Sequence, residues 1–245
     1  MLETVVIHQP NFLPRTKVLI KILLADVWIV YNDVQYVRRE WQNRVFLEDS
    51  CRNEVMFTAK IKKADYKTPI NMIKLHDVTE LNNELLNFIQ YNYSKAPYYG
   101  WIKAYIDEVI KNTNGIEDLS TYNIICTKIA IRMMEFEKIS ILSSDIILKS
   151  KERNEKLIEL CKYSGCNNYI CGSGGKSYID EGRFQKDKIN VVYYDYSLLP
   201  DRESLEIGIY KNRSFLDFIA YNGINTFSSI VSEAKKTQVE SKIMI

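Results

Sequence analysis

Short apolar runs alternate with polar loops along this sequence, and the spacing of the apolar positions distinguishes strands from helices. Residues 4–7 and 27–30 form largely apolar runs of strand length, which is typical of buried parallel strands. Between these runs, the following apolar positions recur at helical spacing: Leu13, Val18, Leu19, Ile22, Leu23 and Ala25. A strand, a loop, a helix and a second strand in this order favour a right-handed parallel crossover.

The rest of the chain continues this pattern. Further strands are predicted at residues 45–47, 55–61, 139–142, 168–171 and 191–194. Helices are predicted at residues 81–93, 101–111, 120–136, 151–163 and from 215 onward, the fourth capped by Ser150 and ended by Gly165. We expect an α/β fold with a Rossmann-like, mostly parallel sheet flanked by helices. A single domain is expected over residues 1–245, with a helical subregion at about residues 80–137.

Polar side chains follow the first two predicted strands directly. His8, Gln9 and Asn11 come after the first strand, and Gln35 comes shortly after the second. Ligands of open α/β sheets bind beyond the carboxyl ends of the strands, so these side chains predict a site. His8 and His76 are the two histidines of the sequence, so any role that needs an imidazole falls to one of them. The alternative for His8 is a structural role, in which its side chain hydrogen-bonds a backbone carbonyl.

A basic and aromatic block follows Gln35. Arg38 and Arg44 can hold phosphate or carboxylate in a bidentate fork, and Trp41 can stack on a base or sugar. Asn43 adds an amide that can orient a reactant. The alternative is an amphipathic edge with solvated arginines.

A glycine-rich segment follows the predicted strand at 168–171. Successive amides there can form an anion nest, which makes the following residues candidates for substrate binding: Gly172, Gly174, Lys176 and Tyr178. A Walker A loop is excluded, because it needs a glycine at the position of Ile170. A plain turn is the alternative.

Composition narrows the class of protein. With 33 basic and 31 acidic residues, the formal net charge is +2, which implies no general attraction to nucleic acid or to an anionic membrane. The sequence contains no apolar run of about 18 residues and begins without a secretory leader pattern, so we expect a cytoplasmic protein without a membrane span. The 5 cysteines fit reduced packing thiols, and Cys161, Cys166 and Cys171 lack the spacing of a metal site, so no metal is expected.

Several motifs together resemble the WbqC-like protein family. The most specific are residues 5–14 (VVIHQPNFLP), 25–26 (AD), 33–36 (DVQY) and 41–44 (WQNR), and weaker ones lie at 93–98, 143–144, 168–172 and 178–180. The resemblance implies a role in bacterial surface-polysaccharide synthesis, such as O-antigen of lipopolysaccharide. Some members are proposed to attach an amino acid such as glycine to the amino group of a deoxyamino sugar. Two departures are residues 15–19 (RTKVL), where the family has a more aromatic stretch, and Asn32, where it has aspartate.

The resemblance and the residues lead to one hypothesis, a transferase that forms an amide between an acyl or aminoacyl group and a nucleotide-linked amino sugar. His8 would polarise the acyl group or accept the amine proton, with Gln9, Asn11 and Asn43 orienting the reactants. Arg38 and Arg44 would neutralise phosphate. The cofactor is left open between ATP and an already activated acyl donor, and so is the oligomeric state.

Other functions stay open at this stage. One is a noncatalytic nucleotide-sugar binding protein of the same pathway. Another is adenylyl or nucleotidyl transfer, because the first strand, helix and strand also resemble the nucleotide-binding half of adenylyl-transferring synthetases. In those enzymes two histidines follow the first strand, whereas here Asn11 stands near the position of the second. Binding of RNA is disfavoured by the near-neutral charge.

Overall fold

The computed structural model describes residues 3–194 and 212–243. Its strands are β1 (Thr4–His8), β2 (Val27–Val30), β3 (Arg44–Glu48), β4 (Glu54–Thr58), β5 (Ile139–Leu142), β6 (Asn168–Gly172) and β7 (Asn190–Tyr194). Its helices are α1 (Thr16–Leu24), α2 (Val78–Tyr93), α3 (Tyr99–Thr113), α4 (Leu119–Met133), α5 (Arg153–Ser164), α6 (Glu181–Lys186) and α7 (Phe215–Ile243). Short 3-10 turns occupy Ile70–Met72, Ser143–Asp145 and Ser173–Ser177.

Five strands form an all-parallel sheet in the order β5-β2-β1-β6-β7, while β3 and β4 form a separate antiparallel hairpin. The predicted α/β, Rossmann-like class is confirmed. From β1 the chain builds outward to β2 and β5, and then returns to place β6 and β7 on the other side of β1. The strand order therefore reverses between β1 and β6, and such a switch point is where open α/β sheets bind ligands.

The sheet separates two hydrophobic cores. Along β1, Val6 points into the core that contains α1, α7 and the helices α2 to α4, whereas Val5 and Ile7 point into the core beneath α5 and α6. This alternation follows from the two-residue period of a strand. Since β1 is covered on both faces, it can present polar groups only at its ends, and its carboxyl end lies at the switch point.

Some predicted helix ends differ from the observed ones. Helix α5 begins at Arg153, because the Glu152 carboxylate caps the helix by accepting from the Glu155 amide at 3.0 Å. The predicted cap, Ser150, instead accepts a hydrogen bond from the Glu152 amide at 3.1 Å, so the Ser150 prediction was wrong by two positions. The helix ends at Gly165 as predicted, and its φ of 70° is the left-handed conformation that glycine adopts readily. Helix α6 was not predicted.

Helix α7 is interrupted at Gly223, whose φ of 78° and ψ of 164° are not helical. A Cβ atom on Gly223 would lie 2.5 Å from Cζ of Tyr98. The Tyr98 amide also donates to the Ala220 carbonyl at 3.1 Å, so the start of α3 is held against this break. The break therefore requires glycine on both conformational and steric grounds.

We expect Gly223→Ala to lower the free energy of unfolding by at least about 1–3 kcal/mol, because alanine is strained at this φ and meets the Tyr98 ring. Gly100→Ala is the matched control, since Gly100 lies in α3 and a Cβ atom added to it would have no heavy atom of another element within 4 Å. That substitution is expected to be neutral or to add about 0.5–1 kcal/mol. Urea unfolding of both variants measures the contrast, and equal effects would contradict it.

Candidate functional site

His8 ends β1 beside the switch point and is fixed there by its backbone and its ring. Its carbonyl accepts from Nε1 of Trp28 at 3.2 Å and from the Tyr31 amide at 3.0 Å, which ties the strand end to β2. Its ring Nε2 lies 2.9 Å from Oδ1 of Asn11, and Nδ1 lies 3.2 Å from Nζ of Lys21. An ammonium only donates and an amide oxygen only accepts, so the ring is the neutral tautomer with its proton on Nε2.

The neutral state of His8 has a clear electrostatic cause. Burial lowers the pKa of His8 well below its usual value, and the positive charges of Lys21 and then Arg15 lower it further. The hydrogen bond to Asn11 acts in the opposite direction but does not reverse the shift. The imidazole is therefore uncharged and held in one orientation at neutral pH.

Lys21 brings a buried ammonium group into the site. It lies on α1 with only 5% of its surface exposed, and burial lowers its pKa from 10.5 to about 8. In the part of the chain that the structure describes, no carboxylate pairs with it, and its hydrogen-bond partner is His8. A buried charge without a counter-ion costs several kcal/mol of stability, so this group is unusual for a core position.

Gly172 completes the site from the neighbouring strand. A Cβ atom on this last residue of β6 would lie 3.7 Å from Nζ of Lys21, so the ammonium reaches from β1 to β6 across the switch point. We refer to His8, Asn11, Lys21 and Gly172 as the switch-point site. Gly175 is needed for packing, since its Cβ would come 2.1 Å from Sγ of Cys171, whereas Gly174 has no such contact.

A cavity of about 440 Å³ opens beside His8 on the α5 side of the sheet, and we call it the His8 cavity. Gln9 and Gln35 lie at its wall together with Tyr178. Arg153 also lines it, with its guanidinium 4.7 Å from the centre of the Tyr178 ring. The predicted residues His8, Gln9, Gln35 and Tyr178 therefore share one cavity.

A second cavity of about 580 Å³, the Arg38 cavity, shares Gln35 and Val37 with the His8 cavity. Its lining is cationic, with Arg38, Lys62 and Lys63 accompanied by Asp65. The two cavities thus lie on either side of the segment that carries Gln35.

The remaining predicted residues take different positions. The Asn43 amide lines the Arg38 cavity but accepts from the Tyr36 hydroxyl at 2.9 Å and donates to the Ala59 carbonyl at 2.9 Å. Trp41 packs against Arg15, whose guanidinium is 4.3 Å from the ring centre. Arg44 places its charge near the Tyr36 hydroxyl, where it opposes the increase in pKa that burial causes. Its buried Nε has no hydrogen-bond partner among the described residues.

Lys176 lies apart from this group. It is exposed on the Ser173–Ser177 turn, and its ammonium is 5.4 Å from the centre of the Tyr193 ring.

Polar contacts hold the predicted loops together. Gln42 donates to the Gln9 side chain at 2.6 Å, and Asn123 of α4 donates to the carbonyls of Pro10 and Gln42 at 3.0 and 2.7 Å. The Phe12 amide donates to the Trp41 carbonyl at 3.1 Å. The loop after β1 and the block before β3 are therefore joined from within the helical core.

Sequence reasoning missed two charged residues of the site, Lys21 and Arg153. Lys21 had a detectable signal, because it interrupts an otherwise apolar run at residues 18–25, and a helix that is apolar all round is buried. Arg153 had no such signal, since it lies in a polar stretch between the predicted cap and the apolar face of α5. Its position depends on how α5 is oriented over the sheet.

The charge pattern determines what the switch-point site can do. A cationic donor beside a fixed imidazole can stabilise an oxyanion or a phosphate. Among the described residues, no group of three or more His, Cys, Asp or Glu side chains is arranged to hold a metal ion. The five cysteines are free thiols. No helix in the described ranges combines the length and apolar character needed to cross a membrane.

Comparison with known proteins identifies relatives by sequence. The WbqC-like protein family matches residues 9–229. The chain is also 25% identical over 224 residues to the uncharacterized protein Rv1507c of Mycobacterium tuberculosis, covering 89% of this chain and 93% of that protein. No solved structure matches the chain significantly.

The burial of Lys21 predicts a pH-dependent stability. The unfolded chain holds this proton up to about pH 10.5 and the folded chain releases it near pH 8, so stability rises with pH between these values. Relative to Lys21→Met, the wild-type free energy of unfolding should increase by up to about 3 kcal/mol across this window. Chemical unfolding at several pH values measures the difference. Lys111→Met, which removes an exposed lysine, is the control. A difference in free energy of unfolding between the wild type and Lys21→Met that stays constant with pH would contradict the prediction.

Proposed function

The chain belongs to the WbqC-like protein family, and we propose that it is an amide-forming transferase that joins an acyl or aminoacyl group to the amino group of a nucleotide-linked amino sugar. The observation that carries the proposal is the buried Lys21 ammonium, which has His8 rather than a carboxylate as its partner at the switch point. A reaction that develops negative charge there would use this uncompensated charge. Glycine is one candidate for the transferred group.

The amide-forming step requires an activated donor, such as a thioester or an acyl adenylate, and an adenylate can be supplied as such or formed from ATP and the acid with release of pyrophosphate. The amine nitrogen attacks the carbonyl carbon, a C–N bond forms, and the carbonyl π electrons move to oxygen. The oxyanion then collapses, the bond to the leaving group breaks with its electron pair, and the amine proton departs to solvent or to the leaving group. Lys21 would stabilise the oxyanion or the leaving phosphate, an effect commonly worth about 3–4 kcal/mol.

His8 has a more limited role in this scheme than sequence reasoning allows. Both ring nitrogens are engaged, one by Lys21 and one by Asn11, so neither is available to accept the amine proton in this arrangement. The geometry supports a positioning role, in which the imidazole accepts from Lys21 and holds its ammonium at the switch point.

The nucleotide part of the acceptor has a separate place in the proposal. The Arg38 cavity offers Arg38, Lys62 and Lys63, and a diphosphate carries enough negative charge to interact with several cations. The shared wall at Gln35 would let the sugar reach the His8 cavity. The expected compartment is the cytoplasm.

Mass spectrometry of reaction mixtures tests the proposal. The purified protein is incubated with nucleotide-linked amino sugars and either activated acyl donors or ATP with an amino acid, and a mass gain that matches an amide is expected. Lys21→Met should reduce the rate by at least about 100-fold, because an oriented cationic donor is lost. Lys111→Met should leave the rate unchanged, because 77% of the Lys111 side chain is exposed to solvent.

Two results would contradict the proposed transferase and indicate a different function. Calorimetric binding of the nucleotide sugar without turnover with any donor would indicate a noncatalytic binding protein, which the engaged nitrogens of His8 also permit. Release of pyrophosphate from a nucleoside triphosphate and a sugar phosphate would indicate nucleotidyl transfer.

A further inference from the structure

Arg153 presents a positive charge to the His8 cavity from the first turn of α5. Its guanidinium lies 4.7 Å from the centre of the Tyr178 ring. Its charge also opposes the increase in pKa that burial and Asp33 cause at Tyr31, the residue that follows β2. Both Arg153 and Tyr178 are exposed, so a ligand can approach the guanidinium from solvent. The aromatic face supports one side of the planar group and leaves its edge for hydrogen bonding.

The carboxylates nearest to Arg153 in sequence have other partners. Glu152 caps α5 and lies 3.1 Å from Nη1 of Arg183, and Glu155 lies 3.5 Å from the same nitrogen. Asp33 accepts a hydrogen bond from Ser143. Within the described ranges, no carboxylate lies at ion-pair distance from Arg153.

The two cavities differ in charge. Among the described residues that line the His8 cavity, Arg153 is the only arginine or lysine. The lining also includes apolar side chains such as Ile7, Val34 and Leu157. The Arg38 cavity has three cations and one carboxylate. One guanidinium above an apolar wall matches a single negative charge on a small organic molecule, whereas a diphosphate matches the other cavity.

We propose that Arg153 recognises a carboxylate on the substrate that binds beside His8. The proposal rests on the amide-forming function in one respect, because it then assigns a free acid group to one of the two reactants. A guanidinium fork binds carboxylate and phosphate alike, so the test must separate these two chemistries.

Ligand-observed NMR with matched acids and amides provides this test. Acetate, glycine and glucuronate are compared with acetamide, glycinamide and glucuronamide. At least one acid should bind about tenfold or more tightly than its amide, as expected for a charge-assisted bidentate pair. In Arg153→Gln the ratio should fall to about one, because the charge is lost.

Arg183→Gln is the matched control, since Arg183 lies on α6 next to the same helix end but pairs with Glu152, Glu155 and Asp180. Its acid-to-amide preference should equal that of the wild type. If melting curves show that Arg153→Gln does not fold, Arg153→Lys carries the test, because it keeps the charge but loses the fork. Its acid-to-amide preference should then fall between the wild-type value and one.

Three outcomes would overturn the inference: no acid preferred over its amide by the wild type, a preference that survives in Arg153→Gln, or inorganic phosphate that displaces the acids from Arg153 at lower concentration than they bind. The test involves no turnover. A carboxylate preference without amide formation would therefore refute only the proposed transferase, and amide formation at full rate by Arg153→Gln would refute only the role of Arg153.

Discussion

The buried ammonium of Lys21 is the constraint on which the rest of the site depends. A helix that packs on all sides can carry a lysine only if its charge finds a partner, and His8 supplies the single hydrogen bond that the described structure provides. Burial and then this same charge lower the pKa of His8, so the imidazole stays neutral and can accept. Lys21 thus helps to keep His8 neutral, and His8 in turn holds the ammonium by a hydrogen bond. Gly172 lies beside the ammonium, since a Cβ atom on it would be 3.7 Å from Nζ, so the ammonium lies between the ends of β1 and β6.

Around this pair, the protein separates positioning from recognition. The loop that follows β1 is held by Asn123 and Gln42 from the interior, so its geometry is set by packed residues rather than by a ligand. The groups that face solvent, such as Arg38 and Arg153, occupy two cavities that share a wall. A rigid interior with exposed charges at its edge is the arrangement expected for a site on a sheet.

Periodicity predicted the parallel sheet well because buried strands and amphipathic helices carry strong local signals. The strand ends at His8 and the glycine-rich turn also followed from local pattern, and the structure places Gly172 beside Lys21. Lys21 itself was overlooked, since hydrophobic spacing ignores the one position that breaks it. Arg153 depends on the path of α5 over β1 and β2, which is a tertiary property. Asn43 shows the reverse case: its motif predicted an amide that orients a reactant, whereas in the fold this amide hydrogen-bonds Tyr36 and the Ala59 carbonyl.

The position of β1 in the centre of the sheet has a consequence for biosynthesis. Thr4 pairs with Asn168, so one edge of β1 finds its partner only after most of the chain has left the ribosome. Until then β1 and β2 can pair with each other, but the other side of β1 offers open backbone groups next to apolar residues. Non-local pairing of this kind slows folding. The nascent chain therefore carries an unpaired, aggregation-prone strand edge for most of its synthesis. Shielding of that edge by a chaperone would therefore protect the nascent chain from aggregation until β6 is available.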